Sequence, residues 1–285
     1  MMKNIKLLFW VLVILPVFAF AQEEEVTTTE KQDNKPERAA FENSTVIENQ
    51  SSLTFAKGTL EVIMQHRFGT INGGTNDLLG LWAPANIRIG LAYSFTDYLT
   101  IGAATAKDGR MQDFNAKVAL LRQTRSGNIP FNITYFGNIG IDARTKDNFR
   151  NVQDRYSFFN QLIFSKRVNA NLSLQLAPSV AHYNLVEPGQ KNDLIALSFG
   201  GRYKISPQTA IIFDATRPLT KFDEGYQPNS GASLGMEFTT SAHAFQIYLT
   251  NYKGIVNQRS QFMNNNYWKD GDFMLGFTIT RRYNF

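Results

Sequence analysis

Residues 87–104 read Ile-Arg-Ile-Gly-Leu-Ala-Tyr-Ser-Phe-Thr-Asp-Tyr-Leu-Thr-Ile-Gly-Ala-Ala. Ile87, Ile89, Leu91, Tyr93 and Phe95 alternate with Arg88, Gly90, Ala92 and Ser94, and after a Thr96-Asp97 turn the alternation resumes at Leu99, Ile101 and Ala103. A period of two is the signature of a strand with one apolar and one polar face. The polar face here is small and hydrophilic, and the other is large and hydrophobic.

The same pattern recurs along the chain. Leu60, Val62, Met64 and Phe68 oppose Glu61, Gln65 and Arg67; Phe114, Ala116 and Val118 oppose Asn115 and Lys117. Leu172, Leu174 and Leu176, then Ile195, Leu197 and Phe199, then Phe245, Ile247 and Leu249 repeat it. Tyr156 to Phe164 is a strand whose facing the pattern does not assign. The count is about twelve strands of the ~9–11 residues that a tilted membrane strand needs. The connections sort by length. Those at 69–84, 142–154, 183–192, 218–229 and 252–272 are long, with 107–112 a short exception, and those at 96–97, 124–128, 165–171, 206–208 and 239–242 are short. Bacterial barrels pair short periplasmic turns with longer outer loops. The expected fold is an all-β, transmembrane, antiparallel up-and-down barrel of about 12 strands over residues 41–285, located in the outer membrane. Twenty-three Phe and 11 Tyr suit a lipid-facing wall.

Ahead of the barrel, Lys3 and Lys6 precede an apolar run from Leu7 to Phe20, and Ala19-Phe20-Ala21 is a small-residue cleavage pattern. Residues 1–21 are expected to be a cleaved signal peptide, and the polar, charged residues 22–40 a disordered periplasmic tether. The absence of cysteine excludes disulfides, thiol nucleophiles and zinc–thiolate sites. Loss of Lys3 and Lys6 with the leader lowers the formal charge from +5 to +3, too weak and scattered for nucleic-acid binding.

Several strings occur in an order that resembles a Bacteroidetes outer-membrane β-barrel family known as a domain of unknown function (DUF5777-like). They are His66-Arg67-Phe68-Gly69; Ala85-Asn86-Ile87-Arg88-Ile89-Gly90-Leu91; Lys117 with Leu120-Leu121-Arg122-Gln123; Leu172-Ser173-Leu174-Gln175-Leu176 with Pro178, His182 and Asn184; His243 with Phe245-Gln246 and Asn251; and Trp268, Gly271-Asp272 and Gly276-Phe277. The resemblance implies fold and location, and no reaction.

By parity the lumen receives Glu61, Arg67, Arg88, Lys117, Arg202, Asp214, Glu237 and Arg282. Such charges either pair and fill a narrow interior or line a pore, the basic excess then favouring anions. Arg67 and Arg88 are expected to approach each other at the outer mouth, with Asp77 or an anion between them. The apolar first outer loop, with Leu78, Leu79, Leu81 and Trp82, must bury itself as a plug, on the lipid rim or around a ligand. The last loop, with Arg259, Phe262, Tyr267 and Trp268, could cover the same mouth. Phe277, Ile279, Tyr283 and the terminal Phe285 share one strand face and look like the signal read by the outer-membrane insertion machinery. His66, His182 and His243 fall too far apart for one metal ion, and no serine accompanies His66 on its strand, so neither a metal, a cofactor nor an enzyme is expected.

The leading functional expectation is a narrow channel or transport-associated barrel for small polar or anionic solutes, with outer-membrane lipid as its surroundings. Its rivals are a non-conducting structural or docking barrel and a lipid-modifying barrel enzyme. N-terminal sequencing of membrane-extracted protein should return Gln22 as the first residue; an intact Met1 would contradict the leader.

Overall fold

The computed structural model describes residues 34–285; the leader and the first part of the tether lie outside them. Twelve strands form the wall: β3 Thr59–Thr70, β4 Asn86–Ser94, β5 Leu99–Ala106, β6 Met111–Leu121, β7 Asn132–Asp142, β8 Tyr156–Arg167, β9 Leu172–Tyr183, β10 Asp193–Lys204, β11 Thr209–Pro218, β12 Gly231–Thr239, β13 His243–Thr250 and β14 Met274–Asn284. Each pairs antiparallel with its neighbours in sequence, and β14 closes on β3 from Met274↔Thr70 to Asn284↔Thr59. Closure leaves no strand edge open, the condition for crossing hydrocarbon with a sheet. The chain end seals the seam, where the Phe285 N–H donates to the Gly58 carbonyl (3.2 Å). A side chain at Gly58 would lie 2.6 Å from the Phe285 oxygen, and its φ of +84° favours glycine there as well.

The outer surface is the apolar one. Ile89, Leu91, Ile101, Phe114, Ile195, Phe199, Leu234, Ile247 and Leu249 are exposed side by side around the wall. In water such a belt would aggregate; against lipid it is the stable face. Tyr283 and Phe285 also face outward at the end that carries the short turns.

Two short strands stand apart from the wall: β1 Thr45–Val46 and β2 Asn49–Gln50 pair as a hairpin. The barrel domain expected over residues 41–285 thus begins with a segment that is not wall: residues 41–51 lie inside the lumen. Both ends of this plug leave by the short-turn mouth. On one side Glu37 donates to the Gln123 carbonyl (2.7 Å) and Arg125 to that of Lys35 (3.0 Å); on the other the Thr54 hydroxyl and the Lys57 N–H bond Asp97 (2.8 Å each). Residues 34–37, expected to belong to a disordered tether, are therefore held against the β6–β7 turn.

From the opposite mouth the last loop folds inward. Its helix α1, Asn257–Phe262, is buried apart from Arg259, and Phe262 packs on Phe159 with Phe136, Ile163 and Leu194. The lumen thus has an apolar sector on β7–β10, filled by Phe262 and Phe222, and a polar sector filled by the plug.

The placement of the plug is checked by chemistry the chain leaves open, since it has no cysteine of its own. The Ser52 and Ser165 hydroxyls stand 2.5 Å apart. Ser52→Cys with Ser165→Cys should oxidise to an intramolecular disulfide in isolated membranes, seen as a loss of two reactive thiols. Full thiol reactivity after oxidation would place residue 52 elsewhere.

Candidate functional site

The hairpin brings few apolar groups into the lumen, Phe41, Val46 and Ile47 against Ile212 and Tyr248 among them. Its hold is otherwise polar. A two-stranded hairpin has open edges and is marginal alone, and inward-facing wall side chains supply the missing partners. Gln246 donates to the Thr45 carbonyl (3.1 Å), Gln175 to that of Gln50 (3.0 Å) and Lys117 Nζ to that of Ser44 (2.8 Å). The Ser44 hydroxyl donates to Glu61 (2.7 Å).

At the tip, Ile47 adopts φ +58°, in a two-residue turn where glycine is usual. The surroundings hold it there. Asp214 accepts the N–H groups of Glu48 (2.8 Å) and Asn49 (3.1 Å) and the Asn49 side-chain amide (3.1 Å). The Glu48 carboxylate pairs with the Arg67 guanidinium, both side chains fully buried. Arg67 also donates to the carbonyls of Tyr252 and Gly254, which fix the guanidinium from its other side. The plug then meets α1: Asn257 donates to the Glu48 carbonyl (3.2 Å) and Gln261 to Asn49 Oδ1 (2.9 Å). Plug and loop together close the lumen. A polar cavity of about 40 Å³ remains beside Ser44, Gln50, Glu61, Arg88, Asn115 and Lys117, enough for about one or two waters.

The structure places Glu61, Arg67, Arg88, Lys117, Arg202, Asp214 and Glu237 buried inside the barrel, and Arg282 half-buried at the short-turn mouth. They do not act alike. Arg88 forms a two-bond pair with Asp113 (2.8 and 3.0 Å), and Arg202 pairs with Glu237 (2.7 Å), so these charges are matched within the wall. Arg282 donates to the Thr240 and Ser241 carbonyls. Lys117, Glu61 and Asp214 instead spend hydrogen bonds on the plug, and Arg67 its ion pair with Glu48. Asp113 and Glu48 are absent from the sequence-based set. Asp113 falls one position before the recognised alternation of its strand, and Glu48 lies in a segment with no strand period.

The expected meeting of Arg67 and Arg88 over Asp77 is not observed. Arg67 takes Glu48, Arg88 takes Asp113, and Asp77 accepts from the Gly80 N–H (2.9 Å) within its own loop. That loop does not enter the lumen: Leu81 and Trp82 are exposed, Trp82 at 73%. The mouth is occupied by α1 instead, which carries more side-chain amides to match a polar wall. Arg259 anchors it to Asp108 (3.1 Å) and Asp142 (3.7 Å), while Trp268 lies exposed on the outer wall beside Leu197, Phe199 and Leu219. The hydrogen bond that Arg144 donates to the Asp142 carboxylate also holds its guanidinium above its ordinary pKa. The histidines stay apart. His66 stacks on Phe277, His243 on Phe245, and His182 bonds Asp193 (2.7 Å); no group of metal ligands occurs among the described residues.

The chain belongs to the family of membrane bound beta barrel domains (DUF5777), which matches residues 41–283. With its closed sheet and apolar outer belt it is an outer-membrane β-barrel. No curated protein matches the chain. Among solved structures it is similar to the NanC porin (8% identity over 79% of this chain and 99% of that one, TM-score 0.49). It is also similar to the KdgM porin (9%, 80% and 99%, TM-score 0.46) and to the COG4313 outer membrane channel from Pseudomonas putida F1 (13%, 81% and 98%, TM-score 0.46). At such identities and scores they have no bearing on the role of this chain.

The Glu48–Arg67 pair makes a quantitative prediction. Removing one partner of a buried ion pair costs about 3–5 kcal/mol, because the other charge is left unmatched. Glu48→Ala should therefore speed amide hydrogen exchange across residues 44–50 by roughly a hundredfold or more. Adding Arg67→Met should restore most of the protection. Exchange unchanged in Glu48→Ala would show that the pair does not hold the plug.

Proposed function

We propose that this outer-membrane barrel is a narrow, gated channel for small polar or anionic solutes, closed at rest by its own N-terminal plug. One observation carries the reading: beside a small apolar cluster, the plug is seated by side-chain hydrogen bonds and the Glu48–Arg67 ion pair, and both its ends leave through the same mouth. A polar seat in a polar lumen is exchangeable, because water and solute can satisfy the groups the plug releases. Withdrawal toward the periplasm needs no strand of the wall to break. The matched Arg88–Asp113 and Arg202–Glu237 pairs stay with the wall and keep the emptied lumen polar.

The second reading, a non-conducting barrel, is favoured by the filled apolar sector around Phe159 and Phe262. A lipid-modifying enzyme has less support. A hydrolytic triad needs a hydroxyl oriented by histidine, whereas His66 packs between the rings of Phe68 and Phe277, and the hydrogen bond of His182 is to Asp193, with no hydroxyl bonded on its other side among the described residues. We assign no reaction to the chain. The outward Phe277, Ile279, Tyr283 and Phe285 remain our proposed insertion signal.

Planar-bilayer recordings separate the readings. The wild-type barrel should be mostly closed. A variant with residues 41–52 replaced by a Gly-Ser linker of equal length, folded by its heat-modifiable gel migration, should show a larger and steady conductance. A folded linker variant that stays silent would favour the non-conducting barrel.

A further inference from the structure

The plug tip is bound the way a ligand is bound. The side-chain carboxylate of Glu48 engages Arg67, while the backbone N–H of the same residue donates to Asp214 (2.8 Å). Asn49 adds two more donors to that one Asp214 oxygen. One residue therefore bridges a fixed cation on β3 and a fixed acceptor on β11, four strands apart around the wall. The cation is preorganised: backbone carbonyls of the 252–254 turn occupy part of the guanidinium and leave its other face for a carboxylate.

We infer that Arg67 and Asp214 form a lumenal binding site for a solute bearing a carboxylate and an N–H donor at the spacing found within a glutamate residue, and that Glu48 is its built-in occupant. The chemical class is a glutamate-like amino acid or a short peptide containing one. The inference rests on the proposed function, in that the plug must leave for the site to be free.

The charges of the wall single this site out. Arg88 and Arg202 keep wall carboxylates when the plug goes. Glu48 is the charged plug residue paired to Arg67, and its departure leaves that guanidinium, buried while the plug is seated, facing the lumen without its carboxylate partner. Asp214 loses its three plug donors at the same moment. A bare carboxylate could answer Arg67 alone, and a bare cation Asp214 alone. A ligand with both groups answers the two together, as the plug does. Arg67 is a planar fork suited to a carboxylate, whereas Lys117, on β6, is a point charge that bonds a plug carbonyl. Collapse of Arg67 onto Asp214 is the competing outcome, and it would leave nothing for a ligand to bind.

The probe is acetyl-glutamate amide, with acetyl-glutamine amide and butyrate as controls, titrated calorimetrically into the folded linker variant. The glutamate probe should bind at least about tenfold more tightly than either control. Arg67→Ala in that background should abolish its binding, and Asp214→Asn should bring it down to the level of butyrate. Equal binding of the glutamate and glutamine probes, no binding, or indifference to Arg67→Ala would overturn the site. Conductance is scored separately: a linker variant that binds but does not conduct keeps the site and sinks the channel, and one that conducts without binding does the reverse. If the linker variant does not fold, the full chain with Glu48→Gln serves. There the glutamate probe should accelerate amide exchange in residues 44–50 and the glutamine probe should not; equal rates with both would refute the proposal.

Discussion

A strand in hydrocarbon cannot leave a backbone N–H or C=O unpaired, and the rest of this molecule follows from that constraint. It forces β14 onto β3 and makes the sheet a closed wall. Closure then creates a second problem, because the small and polar face of every strand is turned inward around a narrow space. Those groups lose bulk water and must find partners. The chain answers with itself: a hairpin from the short-turn mouth and a helix from the other. Gln175, Gln246 and Lys117 find carbonyls on the hairpin, and Ser179 and Asn138 find amides on the helix.

The division of labour among the charged residues gives the lumen its character. Arg88–Asp113 and Arg202–Glu237 are structural pairs of the wall, indifferent to whether the plug is present. Arg67, Asp214, Lys117 and Glu61 each spend part of their bonding on residues 44–49. The barrel therefore carries two sets of inward charge, one permanent and one conditional. A lumen whose purpose was only to be filled has no need of the second set, since apolar packing of the kind seen around Phe262 would serve. Close approaches reinforce the polar sector. Tyr252 lies where a side chain on Gly231 would be, and Tyr248 occupies the space that a side chain on Gly276 would take, which lets two large rings sit inside a narrow wall.

The wall was legible in the sequence because its period is two and its outer face is monotonously apolar. Ile87–Phe95 and Leu172–Ala177 assign their own facing, and with it the inward direction of Arg88 and Gln175. The alternation fails where the lumen itself is apolar. On β8, Phe158 faces out and Phe159 in, and Ile163 is fully buried inside, so both faces read as hydrophobic. The plug was illegible for a different reason. Phe41, Val46 and Ile47 carry no period, and the residues between them are polar because they face a polar wall rather than a core. The outer loops left more than one fate open, and the structure divides them: the apolar Leu81 and Trp82 stay outside the lumen, while the amide-rich 257–261 of the last loop goes in. A polar lumen selects a polar filler.

The central claim is that residues 38–57 form a unit that leaves the barrel without dismantling it. Pulling on residue 34 of a single membrane-embedded barrel from the short-turn side tests this most directly. The account predicts a first rupture that releases a contour length of about 70 Å, that of about twenty extended residues, with the later ruptures of the full wall unchanged and the plug able to reseat on relaxation. A first rupture that already includes the length of β3 and β4 would contradict it.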